Sequence, residues 1–381
     1  MYRIAILISS RKGGHKFPAE AIARFISSHY KDVEIKLYNL LDIIPLANFL
    51  DKIGRWGDLN LRAFWRTGYS QLSKGNPLYA SLFKYFIATI FANKSSERKI
   101  KNKIGRIDLI LSFQPEVNVI GKWLKRWFGV PLYTMIMDYS SHIGWSDESV
   151  DHYYVVNEIV HKQLIEYDVP EEKIEISGAP PQSGFEEMLK TPIPLQRKKL
   201  NLVEDLPTVL VMAGYLGKMV DYEGIIKALS GCKKRIQILV VVGRNYPLYQ
   251  KLQELKIPDV HPFYNVPSIH EVMWPADLVI SKPGGMVIAD ALSLGKPMVL
   301  IDPKAGSLQE RIFAEHIEKQ GAGIHLRSAS EVKETIERLF EEPALLKKMS
   351  DIALNLGLKN RQAAERIAQG VVDKIRAKRR I

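Results

Sequence analysis

Eight short, largely apolar runs, each closed by a polar or glycine-bearing turn and followed by a stretch of helix length, constrain this chain more than any other feature. In the first half they are Tyr2–Ser9, Leu109–Ser112, Pro131–Met137 and Tyr153–Val156. In the second half they are Thr208–Met212, Ile236–Val242, Leu278–Ser281 and Pro297–Ile301, alternating with helical stretches around Tyr222–Leu229, Tyr246–Leu255, Met286–Ser293 and Ser328–Phe340. Strands that are apolar on both faces and separated by helices belong to parallel sheets covered by helices on either side. The predicted class is therefore α/β. A length of 381 residues exceeds what one core usually organises, so two such domains are expected. Their boundary is placed in the proline-bearing, non-periodic stretch 191–207, giving domains 1–190 and 191–357, with a C-terminal helix over about 358–381 packing back on the first. Doubly wound sheets take ligands beyond the carboxyl ends of their strands, so a cleft between the domains is expected.

One cysteine, Cys232, excludes an internal disulfide. Neither a secretory leader at Met1–Ser10 nor an apolar run long enough to span a bilayer is evident, which predicts a cytoplasmic protein whose membrane contact is peripheral, at the inner face of the cell membrane. The net charge of +12 asks for an anionic partner. Between Asp51 and Arg106 there are twelve basic residues against three acidic ones, and nine aromatics lie between Trp56 and Phe91. This segment, with Arg55, Trp56, Arg62, Phe64, Trp65, Arg66, Phe83, Lys84 and Phe86 at its centre, suits an anionic lipid surface. A helix pair whose aromatics face a core is the plainer alternative.

Four glycine loops stand at strand ends. In Arg11-Lys12-Gly13-Gly14-His15 the glycines allow close approach of a ligand, and His15 is delivered at a helix start, where the neutral imidazole suits removal of a proton from an acceptor hydroxyl. A helix-capping histidine fits that motif equally well. Ser281-Lys282-Pro283-Gly284-Gly285-Met286 joins a strand to a helix and would aim backbone N–H groups at a diphosphate. One turn on, Asp290 is expected on the ligand side, where a carboxylate can accept from two ribose hydroxyls, although a solvated Asp beside a structural turn is the plainer account. Met212-Ala213-Gly214-Tyr215-Leu216-Gly217 and Val242-Gly243-Arg244-Asn245 complete the set. Asp138 and His142, with Trp145 beyond, follow another strand and would bind or orient a sugar or an acceptor hydroxyl, or else form a loop hydrogen bond. There is no Asp-x-Asp pair, zinc spacing or Gly-x-Ser-x-Gly elbow, so no metal or other cofactor is expected.

Taken in order, these motifs resemble the family of monogalactosyldiacylglycerol synthases and processive diacylglycerol glucosyltransferases, relatives of the peptidoglycan-precursor N-acetylglucosaminyltransferase. The likeness rests on Gly13-Gly14-His15 with Ala19-Glu20-Ala21-Ile22, Asp138 to His142 with Val150 to Val155, Ile176-Ser177-Gly178-Ala179-Pro180, Val211-Met212-Ala213-Gly214, and Ser281 to Gly285 with Ala291 to Pro297. The resemblance implies a GT-B fold of two Rossmann-like domains and an inverting transfer from a UDP-sugar in the second domain to a lipid that approaches the first. It makes His15 the general base, with Asp138 beside it, and sets Gly13, Gly14, His142 and Trp145 toward the acceptor. It assigns the donor to Gly214, Tyr215, Gly243, Arg244, Val266, Lys282, Asp290 and the lining Pro283-Gly284-Gly285-Met286-Val287, with Gln309-Glu310 facing the transferred sugar. The chain departs from the pattern at Asp290, where the family has Glu, at Phe313 in place of Asn, at Tyr215-Leu216 and at Gln114-Pro115, and the loop before Gln309 is about two residues longer.

Three other readings compete. A polyprenyl-linked acceptor fits the same fold. A UDP-sugar 2-epimerase shares the architecture but has no use for a basic aromatic surface. A nucleic-acid binder accounts for the charge and leaves the glycine loops without purpose, so no nucleic-acid partner is expected.

Overall fold

In a computed structural model the described residues are 1–9, 13–44, 68, 70–91, 94–212, 221–303 and 308–378, leaving aside the side chains of 90, 91, 94, 95, 97, 308, 309 and 378. The chain divides into two units, Met1–Pro180 with Gln362–Ile381, and Pro181–Arg361. Each is built on one six-stranded, wholly parallel sheet.

The strands of unit 1 are β1 (Tyr2–Ile8), β2 (Val33–Asn39), β3 (Leu109–Ser112), β4 (Leu132–Ile136), β5 (His152–Val155) and β6 (Ile174–Ile176), in the order β2-β1-β3-β4-β5-β6. Register pairs Ile4 with Ile35 and with Leu109, so the aliphatic run of β1 is covered from both sides. The order reverses between β1 and β3. Chain entering β2 turns one way from β1 and chain entering β3 the other, which opens a crevice beyond their carboxyl ends. The C-terminal helix Ala363–Lys378 packs on the helix Gly13–His29, tied at its end by Arg376 to Asp32 at 2.7 Å.

Unit 2 contains β7 (Thr208–Met212), β8 (Gln237–Val241), β9 (Val260–Phe263), β10 (Leu278–Ser281), β11 (Met298–Ile301) and β12 (Gly323–Leu326), ordered β12-β11-β10-β7-β8-β9. Its order reverses between β7 and β10. Val209, Val211, Ile280 and Val299 of the central strands are fully buried against Ile225, Ile226 and Ile336 from the flanking helices. Such side chains each contribute about 1.5–3 kcal/mol on burial.

The stretch 191–207, expected to be a linker, is instead packed into unit 2. The helix Ile193–Lys199 buries Arg197, whose guanidinium reaches Asp277 at 3.0 and 3.1 Å and the carbonyls of Glu204, Leu206 and Pro275. A polar anchor of this kind leaves no apolar period in the sequence. The unit boundary falls at Pro180/Pro181, ahead of the expected 190/191.

Lys296 is 7% exposed, with Nζ 4.7 Å from the ring centre of Trp274. Burial pulls its pKa from 10.5 down to about 8, opposed by Asp277 and reinforced by Arg197. Below pH 8 the ammonium is charged in folded and unfolded chains alike, and the full cost of burying it is present. Between about pH 8 and 10.5 the unfolded chain holds the proton more tightly, so stability rises with pH, by on the order of 3 kcal/mol in all. Lys296→Met is expected to raise the urea midpoint at pH 7 and to flatten that rise. A lower midpoint at pH 7 would show that the cation–π contact outweighs the desolvation.

Candidate active site

At the carboxyl edge of unit 1, β1 gives way to the helix Gly13–His29, which places Gly13, Gly14 and His15 in its first turn, where backbone N–H groups lack intrahelical acceptors. Pro18 lies inside the helix, in its second turn, and is buried with Ala19, Ala21, Ile22 and Ile26, of which Ala19, Ile22 and Ile26 continue the stripe that starts at His15. Gly14 is exposed and a Cβ there would meet open space, whereas one at Gly13 would overlap the Phe17 ring. His15 is half-buried, and its Nδ1 has no hydrogen-bond partner among the described residues, so this nitrogen caps nothing.

Beside it, at the end of β3, the helix Pro115–Phe128 begins with Pro at its first position. Gln114 Oε1 accepts from the Ser9 N–H at 2.6 Å, and Glu116 Oε1 accepts from Ser9 Oγ at 2.5 Å. The unusual Gln114 thus fastens the end of β1 to the end of β3. Glu116 adds a carboxylate that the motifs did not single out, although an acidic residue in a first helical turn was the available signal. Asp138 follows β4 at the same edge, half-buried and with an interaction partner.

His142 and Trp145 do not face a ligand, and the expectation that they touch the acceptor is corrected. Trp145 is 1% exposed and belongs to the core. His142 is 5% exposed, and its Nδ1 accepts from the Gly144 N–H at 3.1 Å, closing the turn Ile143–Trp145. Burial lowers its pKa to about 4, so the ring stays neutral.

In unit 2 the order reversal lies between β7 and β10, and both carry glycine sequences. Gly214 and Tyr215, after β7, lie outside the described residues. After β10, Lys282 and the buried Pro283 lead to Gly284, which is the N-cap of the helix Gly285–Ser293 and offers no side-chain cap. The N–H groups of Gly285, Met286 and Val287 therefore point out of a helix start that carries partial positive charge. Lys282 Nζ stands 2.5 Å from Glu310 Oε1, with the two side chains 19% and 15% exposed. This places an ammonium at the same edge, with its counter-ion on the helix Leu308–Gln320. Gln309 follows the same helix start, and its side chain lies outside the description.

The loops after β8 and β9 meet at Gly243 and Asn265, whose N–H donates to the Gly243 carbonyl at 3.0 Å. Gly243 has φ of 59°, a conformation that glycine adopts without strain. Arg244 is exposed beside it and Val266 half-buried.

Asp290 departs from expectation. It is 1% exposed, and its carboxylate accepts from the Gln182 N–H at 2.9 Å and from Gln182 Nε2 at 2.8 Å, with His270 Nε2 at 3.1 Å. The residue sits on the inward face of its helix, and both oxygens are engaged by protein, so the ribose-holding role does not fit this placement.

Of the membrane-facing candidates, Arg55, Trp56, Arg62, Phe64, Trp65 and Arg66 lie outside the described residues. Phe86 is 45% exposed on the helix Pro77–Phe91. Phe83 and Lys84 are corrected. Both are half-buried; Lys84 Nζ donates to the Ser146 carbonyl at 2.6 Å, and Phe83 lies near Gly144. The residues that do face outward are Leu78, Leu82 and Tyr85, spaced with Phe86 along one helical stripe. Choosing by aromatic density missed Leu78 and Leu82 and counted Tyr85 without singling it out, because helical phase decides which way a residue points.

Residues 208–369 match the model of the glycosyltransferase family 28 C-terminal domain, and residues 15–180 that of monogalactosyldiacylglycerol (MGDG) synthase. A processive diacylglycerol beta-glucosyltransferase of Bacillus mycoides is 30% identical over 271 residues, covering 70% of this chain and 68% of that protein. Its counterpart in Bacillus pumilus is 28% identical over 251 residues, covering 64% and 63%. Among solved structures, Acinetobacter baumannii MurG superposes with a TM-score of 0.60 at 15% identity, covering 99% of this chain and 100% of that one. Anabaena Alr3699/HepE, solved in complex with UDP-glucose, gives 0.59 at 16% identity, with 97% and 100% covered.

Proposed function

This chain belongs to the family of monogalactosyldiacylglycerol synthases and processive diacylglycerol glucosyltransferases, with the GT-B fold, and from that membership we propose that it transfers a hexose from a UDP-sugar to diacylglycerol. One observation carries the reading. Where the strand order of unit 2 reverses, β10 runs through Lys282, Pro283 and Gly284 into a helix start that no side chain caps. Phosphate groups favour such a place, because unsatisfied N–H groups and the helix dipole act together on them.

In the reaction, the diphosphate lies against the N–H groups of Gly285 to Val287 with Lys282 alongside, and the hexose extends toward Gln309 and Glu310. Gly243, Arg244 and Val266 border the nucleoside. In unit 1, Gly13 and Gly14 border the acceptor, with Gly14 leaving it open space, and His15 takes the proton from its hydroxyl as that oxygen attacks the anomeric carbon. The carbon–oxygen bond to the diphosphate breaks with inversion, and UDP departs with the electron pair. Asp138 orients the acceptor side. The helix start and the Lys282 ammonium offset the charge growing on the leaving group, a task that a metal ion performs in other transferases. A screen of UDP-hexoses with diacylglycerol in anionic vesicles tests this. Release of UDP that depends on diacylglycerol is expected; no release with any donor would sink the proposal.

Diacylglycerol is reached at a membrane surface, and two features of unit 1 support peripheral attachment there. Leu78, Leu82, Tyr85 and Phe86 are 64%, 54%, 71% and 45% exposed on one stripe of the helix Pro77–Phe91. The helix Lys94–Ile104 and the residues after it expose Arg98, Lys99, Lys101, Lys103 and Arg106, while Lys101 Nζ lies 5.9 Å from the ring of the exposed Trp127. Apolar side chains enter the headgroup region, and each cation near an anionic surface contributes about 1 kcal/mol. Leu82→Glu combined with Tyr85→Glu is expected to weaken binding to anionic vesicles at least ~10-fold, and raised salt should weaken the wild type, because screening acts on exposed charge. Sedimentation with vesicles reads both. Binding indifferent to the double substitution would remove this helix from the interface.

A further inference from the structure

We propose that Gln182 and His270 are positioning residues of the donor site, acting through Asp290 to fix the helix Gly285–Ser293 whose start seats the diphosphate. This rests on the donor reading above and adds to it what holds that helix in place.

The helix start has no side chain of its own to hold it, since its N-cap is Gly284. Its orientation is set from further along. Asp290 lies five residues beyond Gly285, about 7.5 Å along the axis, and is closed off from solvent at 1% exposure. Gln182 grips it with two hydrogen bonds, one from the main-chain N–H to Oδ1 at 2.9 Å and one from Nε2 to Oδ2 at 2.8 Å. Such a two-point clamp on a planar carboxylate fixes direction as well as distance. Gln182 follows the buried pair Pro180-Pro181, whose ring-locked φ angles limit where its N–H can point. His270, fully buried on the short helix Ile269–Met273, adds a third contact at 3.1 Å from Nε2 to Oδ1. The Phe185 ring lies edge-on to His270 at 6.2 Å and holds its plane. Two segments, the residue after Pro180-Pro181 and the helix Ile269–Met273, thus converge through three contacts on one buried carboxylate in the second turn of the diphosphate helix. A buried charge with this many donors is costly to leave unmatched, so the arrangement resists any rotation of the helix that would turn its N–H groups away.

Two measurements decide this. The first needs no ligand. Amide exchange at residues 288–293, whose N–H groups are bonded within the helix, is expected to speed up at least tenfold in Gln182→Ala and in His270→Phe, but to stay near wild type in His270→Gln, whose amide nitrogen can stand where Nε2 stands. Gln182→Ser replaces Gln182→Ala should the latter fail to fold. The second compares affinities for UDP and 2′-deoxyuridine diphosphate by calorimetry. Gln182→Ala and Asp290→Asn are expected to weaken both nucleotides about equally, at least tenfold, and to raise KM for the donor with little change in kcat at saturation. Unchanged exchange in Gln182→Ala and His270→Phe overturns the proposal. So does a preference for UDP over its deoxy analogue that vanishes in Asp290→Asn while Gln182→Ala binds like wild type, because Asp290 would then touch ribose directly. A wild-type protein that binds neither nucleotide contradicts the donor reading instead, and the exchange measurement then settles this inference alone.

Discussion

Replacing His15 with alanine is expected to lower the rate of transfer by about 10²–10⁴-fold, the usual contribution of a positioned general base, while leaving UDP affinity near that of the wild type. The separation follows from where the groups are. His15 belongs to unit 1, whereas the residues proposed to hold UDP belong to unit 2. The substitution is also mild for the fold, because Nδ1 makes no hydrogen bond among the described residues and alanine has a higher helix propensity than histidine. A fall in kcat without a fall in melting temperature or UDP affinity is therefore the expected signature. Equal losses of activity and UDP affinity would remove His15 from the role of base.

The second large effect concerns stability. The helix Pro343–Arg361 crosses the end of the helix Gly285–Ser293 at Gly357, where a Cβ would overlap the Leu292 carbonyl and come within 2.9 Å of the Ser293 nitrogen. These are backbone atoms, which cannot swing aside like the tip of a side chain. Gly357→Ala gains about 1 kcal/mol in helix propensity and incurs an overpacking cost of about 1–3 kcal/mol or more, so the clash is expected to win. The same junction holds the Arg361 Nε to Ser293 carbonyl bond at 2.7 Å and the Ser350 Oγ to Gly295 carbonyl bond at 2.7 Å. Forcing the helices apart disturbs these as well. Gly357→Val is expected to be worse than Gly357→Ala, with UDP affinity falling in step because the displaced helix carries the donor seat. Urea denaturation followed by fluorescence measures the first effect; a Gly357→Ala midpoint equal to or above wild type would contradict the close crossing.

The eight strands legible in the sequence occupy the interiors of the two sheets, and the four that were missed, β2, β6, β9 and β12, are their four edges. The reason is burial. A central strand such as β3 or β10 is buried at every position and must be apolar throughout, which reads as an unbroken run. An edge strand has one open side and carries mixed residues, as Val33–Asn39 does with Glu34, Lys36 and Asn39, or it is very short, as Ile174–Ile176 is. Strand order was beyond reach for a related reason, since it depends on pairing between distant segments and not on any local pattern.

The site was legible where chemistry depends on backbone and obscure where it depends on orientation. Gly284 and Gly285 stand at the helix start that their spacing after β10 required. Asp290 has the right residue type and the wrong direction, because Gln182, more than a hundred residues away, claims its carboxylate. His142 and Trp145 looked like ligand groups for their chemistry alone, yet the turn Ile143–Trp145 folds them inward. The Ser9–Gln114–Glu116 cluster was invisible for the opposite reason: its members become neighbours only when β1 pairs with β3.

Mass spectrometry of the lipid recovered after incubation with diacylglycerol and the donor that releases UDP bears most directly on the central claim. A gain of one hexose residue on diacylglycerol, present with wild type and lost with His15→Ala, is the expected result. Free hexose or an epimerised nucleotide sugar, with diacylglycerol unchanged in mass, would contradict it.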